Sequence, residues 1–195
     1  DIAELPDSES LFAGVTSLTK LDLSSNDLVH TPPATLLSNA ISVSYLDLSG
    51  NDITGISESF LGGAASLLYL DLSHNDLIKL PVAFLDGATS LTELDLGSND
   101  LTELPTNFTE GVTALLALDL AFNELTSLPA AFLDDATSMT YLSLSYNELT
   151  ELPTTFLSDL THLKTVYLKG NNLATLPGGF FDGKTDLSLG FFSSS

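Results

Sequence analysis

Aspartate recurs along this chain at one nearly fixed spacing. It stands inside five successive copies of the motif Leu-Asp-Leu, at Asp22, Asp47, Asp71, Asp95 and Asp119. If these copies are adjacent strands of one sheet, the carboxylates form a ladder of like charges, and two unit charges about 4 Å apart repel by about 1 kcal/mol even in water. Counter-ions, partial protonation or bound calcium must offset this repulsion, and oxygen-only ligands suit calcium better than a transition metal. A ladder of simply solvated strand residues is the competing interpretation.

Aromatic side chains form a second candidate site. All five tyrosines, with one phenylalanine and one histidine, fall on the face of the predicted sheet that points away from the core: Tyr45, Tyr69, His74, Phe122, Tyr141, Tyr146 and Tyr167. Exposed aromatic residues are the usual anchors of protein interfaces, although tyrosine also favours strands in general. Tyr45, Tyr69 and His74 make an early cluster, and the other four residues make a late one.

The residue types that catalyse reactions are not gathered in any motif of this sequence. Cysteine is absent, which excludes a disulfide framework and a thiolate metal site. His30, His74 and His162 fall at different positions of different repeats, so they do not form a zinc site. The chain has neither a nucleophile elbow nor a phosphate-binding loop. We therefore expect no enzymatic activity and no cofactor, with calcium as the one possible exception.

A repeat of 24 residues determines where these side chains lie. Its clearest copy, LxxLDLxxNxLTxLPxxF, covers residues 91–108, and its asparagine recurs at positions 26, 51, 75, 99, 123, 147 and 171. Alternate leucines such as Leu94 and Leu96 share one face of a short strand, and only stacked copies can bury them. The asparagine amide both donates and accepts, so we expect it to satisfy backbone groups of the coils above and below. The proline after LxxL disfavours a long helix on the outer side.

The motif resembles that of leucine-rich repeat proteins, in the 24-residue class of Toll-like receptor ectodomains and variable lymphocyte receptors. Residues 176–183, LPGGFFDG, are close to the LPxGxFDG of the latter. The resemblance implies an α/β repeat fold, a right-handed solenoid with a parallel concave β-sheet and a convex side of loops and short turns. It covers a single array over residues 1–195, with a partial opening repeat (1–17), seven repeats (18–186) and the start of an eighth (187–195). Such arrays bind partners on the concave face.

The composition restricts the possible partners and location. With 26 acidic and 5 basic residues the net charge is -21, which disfavours nucleic acid and anionic membranes and favours cations or basic partners. No apolar run is long enough for insertion into a membrane. Asn107 begins the only glycosylation sequon, Asn-Phe-Thr. We expect an extracellular or cell-surface location, while the missing cysteine caps leave an intracellular one open.

Two functions remain open from the sequence. The first is a recognition or adhesion module that binds a protein or glycan through the concave face. The second is a structural component of an extracellular or surface layer that self-assembles head to tail, with or without calcium. The two ends fall in phase with the repeat, which fits three interpretations: an excerpt of a longer array, end caps made of irregular repeats, or head-to-tail stacking.

Overall fold

The computed structural model describes residues 1–5, 12, 15–34, 36–37, 40–184 and 187–190. Parts of the predicted opening repeat and the last residues of the predicted eighth repeat therefore lie outside the described residues. The described residues contain eight strands of three residues each: β1 (Lys20–Asp22), β2 (Tyr45–Asp47), β3 (Tyr69–Asp71), β4 (Glu93–Asp95), β5 (Ala117–Asp119), β6 (Tyr141–Ser143), β7 (Thr165–Tyr167) and β8 (Ser188–Gly190).

All eight strands form one parallel sheet in which each strand pairs with its neighbours in sequence. The register is strict, since Leu70 pairs with Leu94 and Asp71 with Asp95 across β3 and β4. The return segments consist of turns and irregular backbone, and no α-helix occurs among the described residues. The predicted solenoid with a parallel concave sheet is confirmed.

The core runs the length of the solenoid as one continuous cluster. In the fourth full repeat the strand and its end contribute Leu94 and Leu96 to the core, and the return segment contributes Leu101, Leu104 and Phe108. The sequence pattern predicts these buried positions. The phenylalanines of successive coils stack, with ring centroids 6.3 Å apart for Phe84 and Phe108. Each coil thus buries its apolar side chains only because its neighbours cover them.

The repeated asparagine joins adjacent coils. The Asn99 Nδ2 donates to the carbonyl oxygen of Leu96 at 3.1 Å in its own coil and to that of Leu72 at 3.0 Å in the preceding coil. Its Oδ1 accepts from the Leu77 N–H at 3.1 Å, also in the preceding coil. We expected contacts with the coils on both sides. The amide reaches only the preceding one, because its remaining donor capacity is used by carbonyl groups of its own turn.

We expect Asn99→Ala to lower the free energy of unfolding by about 2–4 kcal/mol, because it leaves a buried N–H and buried carbonyl groups without partners. Asn99 is only 5% exposed, so water cannot replace the lost amide. Urea unfolding measures the change. The adjacent exposed residue provides the control, since Asp100→Ala should change stability by no more than about 0.5 kcal/mol. Equal effects of the two substitutions would contradict this role of the amide.

One repeat departs from the others at the proline position. Ser57 stands where five later repeats carry proline, and its buried hydroxyl has no hydrogen-bond partner among the described residues. The Ser57 carbonyl accepts from the Phe60 N–H at 3.2 Å, as the Pro81 carbonyl accepts from the Phe84 N–H at 3.1 Å. The backbone at Ser57 therefore matches the one that proline adopts in the next repeat.

We expect Ser57→Pro to stabilise the protein by about 0.5–1 kcal/mol, because proline restricts the unfolded chain and the substitution removes an unpaired hydroxyl. For a chain of this length the melting temperature should rise by about 2 °C. Ser57→Ala, which removes only the hydroxyl, separates the two contributions. A lower melting temperature for Ser57→Pro than for Ser57→Ala would show that this backbone does not accept proline.

Candidate functional site: acidic and aromatic rows on the concave face

The strict register lines up equivalent side chains of successive repeats into rows that cross the strands. The tyrosine row takes the first residue of each strand from β1 to β7: Lys20, Tyr45, Tyr69, Glu93, Ala117, Tyr141 and Thr165. The aspartate row takes the last: Asp22, Asp47, Asp71, Asp95, Asp119, Ser143 and Tyr167. The strand residue between them is a core leucine or valine, so both rows lie on the concave face.

Two more rows follow the carboxyl ends of the strands. The serine row lies two residues after the aspartate row: Ser24, Ser49, Ser73, Gly97, Ala121, Ser145 and Lys169. The turn row comes next, directly before the asparagine: Ser25, Gly50, His74, Ser98, Phe122, Tyr146 and Gly170. Every residue of the turn row has a positive φ, from 53° at Ser25 to 73° at Gly170. Such a backbone favours glycine, so the bulky side chains in this row are unusual.

In the early repeats the aspartate row is satisfied by hydrogen bonds from its own repeat. The Asp71 Oδ1 accepts from the N–H of Ser73 at 2.9 Å and from its hydroxyl at 2.6 Å, and the Asp71 Oδ2 accepts from the Tyr69 hydroxyl at 2.9 Å. Asp47 makes the same three bonds with Ser49 and Tyr45. These carboxylates therefore fix the turn that ends the strand.

Asp95 and Asp119 have fewer partners, because Gly97 and Ala121 replace the serines. The Asp95 Oδ1 accepts from the Gly97 N–H at 2.8 Å, and Asp95 has no other hydrogen bond among the described residues. The Asp119 Oδ1 accepts from the Ala121 N–H at 2.8 Å, and its Oδ2 accepts from the Tyr141 hydroxyl at 3.4 Å. A Cβ on Gly97 would lie 3.1 Å from the Asp95 Oδ1 and 3.6 Å from the Asp119 Oδ1. A side chain at Gly97 would therefore be in close contact with both carboxylates.

In the aspartate row, burial and the neighbouring carboxylates act together on Asp95. Burial raises the pKa of Asp95 to about 6, the Gly97 N–H opposes this rise, and the charges of Asp71 and Asp119 add to it. The Asp95 carboxyl is therefore easier to protonate than a free aspartate. No group of three or more His, Asp or Glu side chains in the described part of the chain is arranged to hold a metal ion. The calcium ladder stays a prediction.

The early tyrosines form a closed stack. The rings of Tyr45 and Tyr69 lie 4.5 Å apart and are parallel within 2°. The Lys20 ammonium lies 4.2 Å from the centre of the Tyr45 ring. Burial raises the pKa of the Tyr69 hydroxyl, and its hydrogen bond to Asp71 raises it further. The hydroxyls of this pair therefore already donate to aspartates, and the Lys20 ammonium already lies over the Tyr45 ring.

A second stack, Phe122 and Tyr146, is exposed. Their rings lie 4.5 Å apart in the turn row, and the side chains are 56% and 40% exposed. Their φ values of 57° and 55° are disfavoured for aromatic residues by about 1–2 kcal/mol each. Tyr146 also packs against Gly170, where a Cβ would lie 2.6 Å from its ring. The fold thus keeps two large apolar rings in water on a strained backbone.

The structure divides the predicted late cluster into two pairs. Tyr141 and Tyr167 form an edge-to-face contact with centroids 5.8 Å apart, separate from the stack of the turn row. His74 is exposed in the turn row and does not belong to the early stack. The lysines were not predicted to belong to the site, yet the Lys169 ammonium lies 5.5 Å from the Tyr146 ring centre. Their positions in the repeat were the signal that could have found them.

The sequon lies away from the four rows. Asn107 is exposed on the return segment, and its Nδ2 donates to the Glu110 carboxylate at 3.1 Å. Glycosylation at Asn107 stays a prediction. Within the described residues, no helix is long and apolar enough to cross a membrane.

Comparison with known proteins gives consistent results. A family model described as "Leucine rich repeat" matches residues 41–86, 89–149 and 137–189, and a second model of the same description matches residues 17–39. The fold is similar to a chain in the structure of the Drosophila Toll–Spatzle complex, with a TM-score of 0.75 and 25% sequence identity over 98% of this chain. This chain spans only 28% of that one. No curated protein matches the sequence.

We expect Asp95→Asn to stabilise the protein at neutral pH, by about 1 kcal/mol after allowance for solvent screening at this half-buried position. The raised pKa means that the protonated Asp95 favours folding, so this contribution is complete below about pH 4 and is lost as the pH rises through about 6. The Asp95→Asn variant should therefore be more stable than the wild-type protein above pH 6 and equally stable below pH 4. Urea unfolding across this range, with Asp76→Asn as the exposed control, measures it. A gain that does not depend on pH would contradict the assignment.

Proposed function

The chain belongs to the leucine-rich repeat family and has the fold of a protein-interaction module, and on that premise we propose that it recognises a protein partner through its concave face. The module acts in recognition or adhesion and not in catalysis. The residues that contact the partner are those of the late repeats, above all Phe122 and Tyr146. The location is extracellular or at a cell surface.

The exposed stack of Phe122 and Tyr146 carries this proposal. The hydrophobic core does not require these residues, since the other repeats fill the same position with serine, glycine or histidine. If a partner buried the part of one such ring that is still exposed, the free energy of binding would gain about 2–3 kcal/mol, at about 25 cal/mol per Å² of apolar surface. A partner that covers both rings offsets the strain of their backbone. Large aromatic residues at the centre of an interface commonly dominate binding energy.

The comparisons support a macromolecular partner. The similar chain comes from a structure of a complex, Toll with Spatzle. The concave face of this chain is an open sheet lined by rows of side chains, and such a surface suits a polypeptide segment better than a small molecule, which needs an enclosing cavity. Head-to-tail self-assembly, the alternative raised by the sequence, stays a prediction.

We expect the double substitution Phe122→Ala with Tyr146→Ala to abolish partner binding. Because the partner is unidentified, the probe is a set of peptides selected from a displayed random library on the wild-type protein. Isothermal titration with the tightest of them should show a loss of affinity of about 100-fold, since two anchors at an interface centre are removed. The matched control is Val82→Ala with Phe181→Ala, which removes two exposed apolar side chains outside the four rows and should leave affinity unchanged.

A glycan array probed with the same proteins tests the other ligand class of the sequence analysis. Peptides whose binding survives the aromatic double substitution would overturn the concave-face proposal. Binding to glycans alone, dependent on the same two rings, would keep the face and replace the protein partner by a carbohydrate. Thermal melting of each variant verifies that it folds.

A further inference from the structure

The two central strands differ from the other strands of the concave face. Where the neighbouring strands carry tyrosine and serine, β4 and β5 carry Glu93 with Gly97 and Ala117 with Ala121. We call the six residues Glu93, Asp95, Gly97, Ala117, Asp119 and Ala121 the β4–β5 strip. Three of these residues have small side chains or none, and the other three carry carboxylates. The strip lies between the early tyrosine stack and the late aromatic pairs.

The carboxylates of the strip have unused hydrogen-bonding capacity. Asp71 accepts three hydrogen bonds from its own repeat, whereas Asp95 accepts one. An ionised carboxylate has about four acceptor positions. The two hydroxyl groups that satisfy Asp71 have no equivalent beside Asp95, since Glu93 and Gly97 take their places. A ligand that donates several hydrogen bonds would therefore fill the unused acceptor positions of these carboxylates.

A flat apolar surface borders the strip. One face of the Phe122 ring stacks on Tyr146, and among the described residues neither an aromatic ring nor an ammonium group covers the other face. The small side chain of Ala121 lies between Phe122 and Asp119 in sequence. Phe122 therefore offers one ring face in the same repeat as Asp119, three residues after that carboxylate.

The charge of this region is complementary to a basic ligand. The strip contains no lysine, and the two concave lysines near rings lie on β1 and just beyond β7, over Tyr45 and Tyr146. A charge on His74 acts in the opposite direction to burial and lowers the pKa of Asp95. The whole chain carries a net charge of -21, which attracts basic polypeptides over a longer range.

The following inference rests on the proposed function. We propose that the partner is a basic polypeptide segment that lays an arginine side chain on the β4–β5 strip. The guanidinium stacks on Phe122 and donates hydrogen bonds to Asp95 and Asp119. Arginine fits better than lysine, because its planar group binds carboxylates through two donors and stacks on aromatic rings at the same time. It fits better than a metal ion, because the described carboxylates do not converge in a group of three.

The experiment uses the peptides selected on the wild-type protein. Arginine should be enriched in them relative to the starting library, and replacing the conserved arginine of the tightest peptide by lysine should weaken binding about tenfold. Asp95→Asn with Asp119→Asn should also weaken it at least tenfold. The matched control is Asp76→Asn with Asp100→Asn, which removes the same charge from exposed positions of the adjacent repeats and should change affinity less than about threefold.

A second pair of variants leaves the charge unchanged. Gly97→Ser with Ala121→Ser recreates the arrangement of Ser73 beside Asp71, in which the serine hydroxyl donates a hydrogen bond to the carboxylate. It should weaken peptide binding about tenfold by filling the strip and using its acceptors.

The outcomes separate this inference from the proposed function. Peptides that need Phe122 and Tyr146 but show no arginine enrichment would overturn the inference alone. Equal losses for the strip variant and its charge-matched control would also overturn it, since the general field and not the strip would then attract the peptide. Peptides that bind without the aromatic pair would overturn the proposed function itself.

Discussion

The structure depends on the stacking of coils in register, which the asparagine amides maintain. Asn99 holds backbone groups of two successive coils at once, and the same pattern recurs at Asn51, Asn75, Asn123 and Asn147. Because these amides are buried, a shift of one coil against the next would leave several polar groups unpaired. The register turns each repeated residue into a row, so the chemistry of the concave face follows from the stacking.

The row of aspartates shows how the fold accommodates a repulsive arrangement. Asp47 and Asp71 accept donors from the turn that follows each strand and from a tyrosine hydroxyl, so their charge stabilises local structure. At β4 the tyrosine and serine are replaced, and the carboxylate of Asp95 is left with one hydrogen bond and a raised pKa. A partner's cation near Asp95, at the centre of the concave face, would lower the free-energy cost of its charge, which comes mainly from burial.

In the turn row the unusual residues do not relieve an unfavourable arrangement but increase the strain of the backbone. Ser25 and Gly50 suit the left-handed turn, whereas Phe122 and Tyr146 are bulky and exposed in the same conformation. Strain that the packing does not require is common where a protein binds or acts on something else. An exposed aromatic pair beside an acidic strip combines the two kinds of contact that a basic, partly apolar segment offers. The same backbone could carry another ligand specificity with other residues in these rows.

The sequence alone determined the solenoid, the parallel sheet, the buried leucines and the rows, because a strict period fixes which residues are neighbours. It also placed the tyrosines on the concave face, since residues alternate between the two faces of a strand. Only the tertiary structure decided which rings stack, so that Phe122 pairs with Tyr146 while Tyr141 pairs with Tyr167. It also showed that Asn99 binds only the preceding coil. These details depend on side-chain rotamers and turn dihedrals, and those are set by contacts between coils that no repeat pattern encodes.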